Sequence, residues 1–342
     1  MKPSLLPYLA CPQCGSDLRV SHGADPEPDP LDVEADIREG ELTCIGCGHQ
    51  TPIEEGVPNF TADASHSDEV HRTKENFGYS WNVFAAQEKY FDAQFEGWIA
   101  PASVAEFKDQ VVLEAGCGMG RHTELVARSG AKAVIGVDFS SAVYPAERRV
   151  EAYPNAHIIR ADINALPLKV CADIAFSVGV LHHLPDPRRG FLSVVSRVRP
   201  GGKVIAWVYG AENNGWITRV FSPLRARVLS KLPMPAVSSL AFGLTACLLF
   251  PALKLVYKPL TDREGLRPLG KKLFYATYLS SIAPFSFRHV RHIVFDHLLA
   301  PIAFYIPREE MEHWAREADL EGPIVRWHNQ MSWTLIGTRP AT

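Results

Sequence analysis

Residues 111–138 read VVLEAGCGMGRHTELVARSGAKAVIGVD and decide the fold. The run Val111–Glu114 is mostly apolar and is bounded by glycine, which is typical of a strand buried on both faces. Three glycines follow at alternate positions, then a helix-like segment over 121–128 and a second apolar run that ends on Asp138. The order strand, glycine loop, helix, strand predicts a doubly wound α/β sheet.

The glycine loop and the acid after it indicate a ligand with a nucleoside. Glycines let a ligand approach the backbone closely, and the helix that follows presents free N–H groups. An acid about twenty residues further on can accept hydrogen bonds from ribose hydroxyls, and the interval from Gly118 to Asp138 has that length. We therefore expect a nucleoside ligand at the carboxyl edge of the sheet.

Glu114 argues against a phosphate ligand, because a carboxylate so close to a pyrophosphate is repulsive. A nicotinamide enzyme would also prefer the spacing G-x-G-x-x-G. The motif E-A-G-C-G-M-G at 114–120 resembles the first motif of class I S-adenosylmethionine (SAM) methyltransferases, the alternative being an ordinary strand-to-helix turn. The resemblance implies SAM as cofactor, with contacts from Glu114, Gly116, Cys117, Gly118, Asp138 and Phe139.

Later motifs continue this resemblance. A third strand over 157–162 ends on an acid, and the resemblance places Asp162 and Ile163 at the adenine; a helix cap is the alternative for Asp162. The fourth strand (174–179) adds Val178 to the cofactor contacts and leads into V-L-H-H-L-P-D-P at 180–187.

His182 is our candidate for the catalytic base, since a histidine near neutral pKa beside the transferred methyl can accept a proton. We prefer it to His183 because it is closer to the end of the strand. The commoner role of such a loop histidine is a hydrogen bond to the backbone or a helix cap.

The aromatic segment 77–99 is open to two interpretations. In similar methyltransferases an F-G-x-x-W segment lies across the cofactor, so Tyr79 and Trp81 are predicted to cover SAM. The alternative is a helix packed on the edge of the sheet. The polar residues 61–76 before it are predicted to be a linker.

Two knuckles, C-P-Q-C-G at 11–15 and C-I-G-C-G at 44–48, indicate a metal site. Four thiolates match a closed, structural zinc site, which leaves no position open for catalysis. Two unrelated thiol pairs or a redox couple are the alternatives. Residues 4–60 resemble the small zinc-ribbon (Trm112-like) proteins that partner or are fused to methyltransferases. The predicted Zn²⁺ ligands are Cys11, Cys14, Cys44 and Cys47, in a domain over 1–60.

The end of the chain predicts the closing elements of a seven-stranded, Rossmann-like class I methyltransferase sheet. Residues 307–320 have a helical pattern with proline in the first turn, and 323–338 form a hairpin. The SAM-binding core therefore covers 77–210 and its closing elements cover 307–342. Residues 211–306 are left as a large helical insertion between them.

The insertion is apolar and basic. Its residues 216–258 hold six Lys or Arg and no Asp or Glu, and the rest of the chain carries −9. Such a composition is typical of a helix that lies at a membrane surface, and a buried lid over the fold is the alternative. With an odd cysteine count and no secretory signal, we expect a cytoplasmic protein, with peripheral contact at the inner face of the membrane through residues 216–258 as a further option.

Three functions were compared. Our main prediction is O- or N-methylation of a small-molecule, glycan or lipid-linked acceptor, because the insertion offers a hydrophobic acceptor site. The alternative is an rRNA or tRNA base methyltransferase that uses the zinc ribbon for recognition. A non-catalytic SAM-binding scaffold is the third. The net charge of −3, the acidic remainder of the chain and the lack of a basic, aromatic face on the ribbon led us to disfavour a nucleic-acid partner.

Overall fold

The structure is a computed structural model that describes residues 1–21, 36–61, 90–299 and 302–341. It contains two sheets. The N-terminal sheet is antiparallel in the order β1-β2-β3-β4 and follows a 3₁₀ turn over Pro3–Tyr8. Its strands are β1 (Leu18–Ser21), β2 (Gly40–Cys44), β3 (Gln50–Glu54) and β4 (Val57–Pro58). We call residues 1–61 the ribbon.

The second sheet has seven strands in the order β10-β11-β9-β8-β5-β6-β7, and only β10 and β11 run antiparallel to their neighbours. The strands are β5 (Val111–Ala115), β6 (Ala133–Asp138), β7 (Ala156–Arg160), β8 (Ala172–Val178), β9 (Val198–Tyr209), β10 (Glu321–His328) and β11 (Ser332–Thr338). The helices around it are α1 (Phe91–Ile99), α2 (Arg121–Arg128), α3 (Val143–Val150), α4 (Pro187–Ser196) and α10 (Arg308–Glu317).

The central strands are buried on both faces. Side chains alternate across a strand, so Val112 packs into the core layer with α2 and α3 and Leu113 packs into the layer with α4 and α10. This explains the nearly continuous apolar runs of β5 and β6. The chain leaves β5 in one direction through β6 and β7, then returns to place β8 on the other side of β5. Ligands bind at such a switch point.

The ribbon is attached to the edge of the large sheet by backbone hydrogen bonds. Asn59 pairs with Arg160 of β7, and the N–H of Phe60 donates to the carbonyl of Arg160 at 2.8 Å. A second contact joins Ala10 N–H to the carbonyl of Pro167 at 3.0 Å. The ribbon therefore covers an edge strand that would otherwise present unpaired backbone groups.

The insertion is helical and returns to its point of departure. Its main helices are α5 (Ser222–Arg227), α6 (Met234–Asp262), α7 (Arg267–Gly270), α8 (Ala276–Ile282) and α9 (Phe287–Leu299). A π-helical turn, Ile217–Phe221, precedes α5. Gly210 pairs with Ile306, and the N–H of Ala211 donates to the carbonyl of Ile306 at 3.0 Å. The two ends of the insertion thus meet beside β9.

The predicted fold class is confirmed: the sheet has seven strands, mostly parallel, with a cysteine-bearing ribbon in front and a helical insertion behind. The stretch Arg199–Gly202 lies inside β9 as an irregularity where the register with β8 shifts. Tyr79, Trp81 and predicted linker residues 62–76 lie outside the described residues, and the domain boundaries stay predictions.

Candidate active site

A cavity of about 810 Å³ lies at the carboxyl ends of β5, β6 and β8. That volume is within the usual range for small-molecule sites. The predicted cofactor contacts that line it are Gly116, Cys117, Gly118, Asp138, Phe139, Asp162, Ile163 and Val178. The sequence motifs, which are spread over 63 positions from 116 to 178, thus converge on one site.

The glycine loop is held tightly against β6. The N–H groups of Gly116 and Cys117 both donate to the carbonyl of Val137, at 2.7 and 2.9 Å. Gly116 has φ +90°, and a Cβ there would lie 2.3 Å from the Cγ2 of Val180. A larger residue at 116 would therefore be strained and would also collide with the loop after β8.

Asp138 connects the loops that follow β5 and β6. One carboxylate oxygen accepts from the N–H of Gly118 at 2.9 Å, and the other accepts from the N–H and hydroxyl of Ser140 at 2.8 and 2.7 Å. Each carboxylate oxygen has two lone pairs, so one acceptor site remains, on the oxygen bound by Gly118, for a ribose hydroxyl. The geometry is consistent with the predicted role.

Asp162 and Ile163 line the cavity one strand further along. One oxygen of Asp162 accepts from the backbone and side-chain nitrogens of Asn164, at 2.8 and 3.0 Å. Asp162 therefore does cap the short 3₁₀ turn that follows it, which was the alternative interpretation. The cap uses one carboxylate oxygen of Asp162. Because Asp162 also lines the cavity, its other oxygen is compatible with an adenine contact.

Glu114 does not line the cavity, although it was predicted to contact the cofactor. It is buried beneath the loop, where one oxygen accepts from the hydroxyl of Thr123 and the other lies 3.3 Å from Nδ1 of His122. Both partners belong to the first turn of α2. In this structure the carboxylate links that helix to the end of β5. Thr123 and His122 are the polar partners that a buried charge needs.

His182, the predicted base, is fully buried and is not among the residues that line the cavity, whereas His183 is. Burial lowers the pKa of His182 well below its ordinary value and lowers that of His183 to about 4. Nδ1 of His183 lies 2.7 Å from the carbonyl of Ile302, so this nitrogen carries the proton. Of the two, His183 is the one positioned to meet a ligand.

The far end of the cavity is aromatic. Trp98 of α1 packs against Trp207 of β9 with ring centroids 4.9 Å apart, and Trp207 packs against Tyr209 at 5.7 Å. The insertion closes this end with His289, His292, Asp296 and His297 of α9 and with Tyr278 of α8. Burial lowers the pKa of His289 and His292 to about 3 and that of His297 to about 4, so these rings are neutral at pH 7.

Sequence reasoning missed the aromatic end. Trp207 and Tyr209 are two residues apart at the end of β9, so they share one face at the carboxyl edge. That alternation was a usable signal. Trp98 had no comparable signal, because its position depends on how α1 packs against β9.

The four predicted metal ligands do come together. The sulfur atoms of Cys11, Cys14, Cys44 and Cys47 all lie within 4.8 Å of one another, with Cys11 to Cys47 at 3.6 Å and Cys14 to Cys44 at 3.4 Å. Tetrahedral Zn–S bonds of about 2.3 Å require sulfur pairs about 3.8 Å apart.

Comparison with known families agrees with this arrangement. Residues 113–206 match the family described as "Methyltransferase domain", and residues 2–56 match "Trm112p-like protein". Together with the seven-stranded sheet, these matches show that the chain has a class I SAM-dependent methyltransferase domain behind a Trm112p-like segment.

Three known proteins illustrate the likeness. A tRNA U34 carboxymethyltransferase of Pseudoalteromonas translucida is 26% identical over 55% of this chain and 59% of its own. One of Cellvibrio japonicus is 33% identical over 30% of this chain and 33% of its own. The structure of human N-acetylserotonin methyltransferase with SAM matches 82% of this chain and 61% of its own, with 10% identity and a TM-score of 0.47. The chain thus spans less than two thirds of the curated relatives it matches.

These relatives correct two predictions. We expected a small-molecule, glycan or lipid-linked acceptor and disfavoured nucleic acid, and the tRNA enzymes among the relatives contradict both. The error came from weighing the acidic remainder of the chain against RNA. Residues 211–306 hold twelve Lys or Arg and four Asp or Glu, so this part carries +8 and the remainder −11.

Proposed function

We propose that the protein is a SAM-dependent methyltransferase that modifies a base of tRNA. The observation that carries the proposal is the tRNA U34 carboxymethyltransferase name shared by the relatives that match this chain. The Trm112p-like segment supports the proposal, because an N-terminal zinc ribbon is a feature of the rRNA or tRNA enzyme that we predicted as the alternative. The cavity offers separate places for a nucleoside cofactor and for an acceptor base.

The cofactor occupies the end of the cavity beside β5, β6 and β7. The glycine loop gives the ligand access to backbone N–H groups, Asp138 accepts from a ribose hydroxyl, and Asp162 with Ile163 holds the adenine. When bound, SAM supplies the electrophilic methyl group, and the chain supplies alignment.

The acceptor base occupies the aromatic end. An enzyme that modifies a nucleobase must take it out of its stack, and flat aromatic side chains compensate for the lost stacking. Trp98, Trp207 and Tyr209 provide such surfaces beside the cofactor end. Arg189 is exposed on the cavity lining, and no salt bridge to it is found among the described residues, so it is available to a phosphate.

His183 is the side chain that we propose to orient or deprotonate the base. Its Nδ1 is fixed by the carbonyl of Ile302, which leaves Nε2 as the proton acceptor of the neutral ring. Because burial holds its pKa at about 4, it is a weak base and acts as a hydrogen-bond acceptor at neutral pH.

We further propose that the four ribbon cysteines bind one structural Zn²⁺. The sulfur spacing supports this, and so do the two matching glycines, Gly15 and Gly48, at φ +75° and +74° after each knuckle. All four ligands come from the protein, so the ion stabilises the ribbon and takes no part in the transfer.

The test uses purified full-length protein, radiolabelled SAM and separated pools of tRNA, rRNA and soluble metabolites. The tRNA pool should take up label, and mass spectrometry of digested tRNA should identify one altered nucleoside. Trp207→Leu should reduce transfer more than it reduces binding of S-adenosylhomocysteine. Labelling of the metabolite pool alone, by protein that binds S-adenosylhomocysteine, would refute the tRNA proposal.

A further inference from the structure

The outer surface of the insertion exposes an unusual amount of apolar area. Among the described residues, 17 large hydrophobic side chains are exposed, and 13 of them lie between positions 216 and 274. Leu248 and Leu255 of α6 are 68% and 75% exposed. A soluble protein rarely leaves such a surface uncovered unless it binds something.

The segment 216–232 is organised in three stripes with a period of four. One stripe is buried and includes Ile217, Arg225 and Leu229. A second stripe is apolar and exposed at every fourth residue: Trp216, Val220, Leu224, Val228 and Leu232. Because one turn of helix takes roughly four residues, each stripe forms a continuous face.

The third stripe is cationic and lies one residue before the apolar one. Arg219, Arg227 and Lys231 are exposed, and the described residues contain no salt bridge to any of them. An apolar face with an adjoining row of cations is the pattern of a helix that lies in a membrane interface. Its apolar side chains enter the acyl boundary and its cations meet anionic headgroups.

Helix α6 also has one buried stripe and one exposed apolar side. Val237, Ala241, Thr245, Leu253 and Tyr257 are buried at intervals of four or eight residues. The π-helical turns Thr245–Leu249 and Leu253–Tyr257 keep that stripe in line, because they turn less per residue than an α-helix. The opposite side of α6 is apolar and exposed, and only 22% of the most hydrophobic 18-residue stretch of this helix is buried.

Helix α6 is long and apolar enough to cross a membrane by length and composition. A single crossing conflicts with the topology, however. The insertion leaves the sheet at Gly210 and rejoins it at Ile306, and these residues are paired with each other. The buried stripe of α6 also packs on α9, with Val237, Ala241 and Phe295 in one cluster. The pairing and this packing therefore argue against a membrane crossing by α6.

We propose that this face of the insertion, which we call the outer face, docks on the surface of a bilayer that contains anionic lipids. The outer face comprises the exposed apolar and cationic stripes of 216–232 and the exposed side of α6. Such docking makes the protein peripheral at the inner face of the membrane, with the cavity on the other side of α9 still open to a soluble substrate. The proposal does not depend on which acceptor is modified.

The experiment is co-sedimentation of the full-length, zinc-loaded protein with vesicles of phosphatidylcholine, with or without phosphatidylglycerol. Binding is expected to require phosphatidylglycerol and to fall as salt rises. Arg219→Glu, Arg227→Glu and Lys231→Glu together should lower the partition coefficient about 100-fold or more. Val220→Ser, Leu248→Ser and Leu255→Ser together should lower it about tenfold or more.

The matched control replaces three exposed apolar residues outside the outer face: Ile45→Ser, Val170→Ser and Ile324→Ser. Every variant is first checked for an unchanged melting temperature and unchanged binding of S-adenosylhomocysteine. Equal loss of vesicle binding in the control, or no binding to either vesicle, would overturn the proposal. So would a dimer in ultracentrifugation that the apolar triple variant dissociates, or loss of tRNA binding in that variant, because the face would then belong to a second copy or to RNA.

Discussion

The ribbon and the insertion both flank the seven-stranded sheet, but they are attached in different ways. The ribbon joins the outer edge strand β7 through backbone hydrogen bonds and polar side chains, such as the Tyr144 hydroxyl that donates to Glu54. It also shares the core of the sheet, because its Leu5, Leu9 and Leu42 lie in one hydrophobic cluster with Leu113. The insertion joins beside β9, packs most of its buried apolar side chains into two clusters of its own and leaves its outer face uncovered.

This difference separates a structural role from a functional one. The ribbon stabilises the cofactor end by covering β7 and by bonding to residues next to the loop of Asp138. The insertion lines, through α8 and α9, the end of the cavity that we propose for the acceptor. Damage to the ribbon should therefore affect stability and cofactor binding, whereas damage to the insertion should affect the acceptor.

Loss of the proposed zinc should have the largest effect, and it tests the ribbon. Cys14→Ser with Cys47→Ser should abolish zinc binding, whose apparent free energy is about 10–16 kcal/mol in small zinc domains. The ribbon should unfold, because its small sheet has little core of its own. Metal analysis should fall from one zinc per chain to none, together with a lower melting temperature.

Cys247→Ser is the matched control for the zinc experiment, because Cys247 is an exposed cysteine far along the chain in α6. It should keep one zinc per chain and the parent melting temperature. A stable ribbon without metal would show that its polar contacts with β7 are sufficient alone, which would contradict the structural role of the ion.

Asp138→Ala should have the next largest effect, and it tests the cofactor end alone. A hydrogen bond to a charged acceptor contributes about 1.5–3 kcal/mol, and Asp138 has one acceptor site left for the ribose. Calorimetry should show S-adenosylhomocysteine binding about tenfold or more weaker. Asp92→Ala, which removes only an exposed partner of Arg128, should bind normally. Equal affinity in both variants would exclude the proposed ribose contact.

A fall in pH should unfold the insertion before it unfolds the ribbon. Burial holds the pKa of His289 and His292 at about 3 and that of His297 at about 4, against about 6.5 when unfolded. The unfolded state therefore binds more protons, so stability is complete above pH 6.5 and is lost as pH falls towards 4. At pH 5 each such histidine costs up to about 2 kcal/mol.

Hydrogen exchange at pH 7 and pH 5 should measure that loss. Protection of α9 should fall first, although Asp296, 3.2 Å from His292, offsets part of the cost and Arg121 adds to it. Among the described residues at the contact between ribbon and core, His157 is the one histidine with such a lowered pKa, about 3. Retention of zinc at the pH where α9 loses its protection would confirm that the insertion opens before the ribbon. Loss of zinc at that same pH would contradict it.

Tyr144→Phe should have the smallest effect and tests whether the ribbon communicates with the cofactor loop. The Tyr144 hydroxyl donates to Glu54 and accepts from Arg160 at 3.2 Å, and Nε of Arg160 donates to the carbonyl of Phe139 at 3.2 Å. Loss of the hydroxyl should cost about 1 kcal/mol of unfolding free energy. Binding of S-adenosylhomocysteine should weaken a few-fold, and an unchanged affinity would limit the ribbon to a purely structural role.

Local pattern predicted most of the fold. The helix predicted over 121–128 is α2, and the strands predicted from 111 and 133 are β5 and β6, because glycine and aspartate mark their ends clearly. The four cysteines met as the knuckle spacing predicted. In each case the information lies within a few residues of chain, where period and turn chemistry decide the structure.

Predictions that depended on tertiary contacts were less reliable. The side chain of Glu114 could reach a ligand or the helix beneath, and only the position of Thr123 and His122 distinguishes the two. The choice of His182 over His183 did not anticipate which ring lines the cavity, since their rings lie only 4.2 Å apart and local sequence does not distinguish them. The acceptor was mispredicted because composition does not show which acceptor an apolar, basic segment meets.

The pairing of Gly210 with Ile306 also bears on how such a protein can change its substrate. Since departure and return points touch, nearly a hundred residues form a cassette that can be exchanged as a unit while the cofactor end keeps its geometry. A short linker between these two residues should preserve the sheet and the ribbon. Diversification of acceptors could therefore proceed by replacement of one module, without a cost to the machinery that captures the methyl donor.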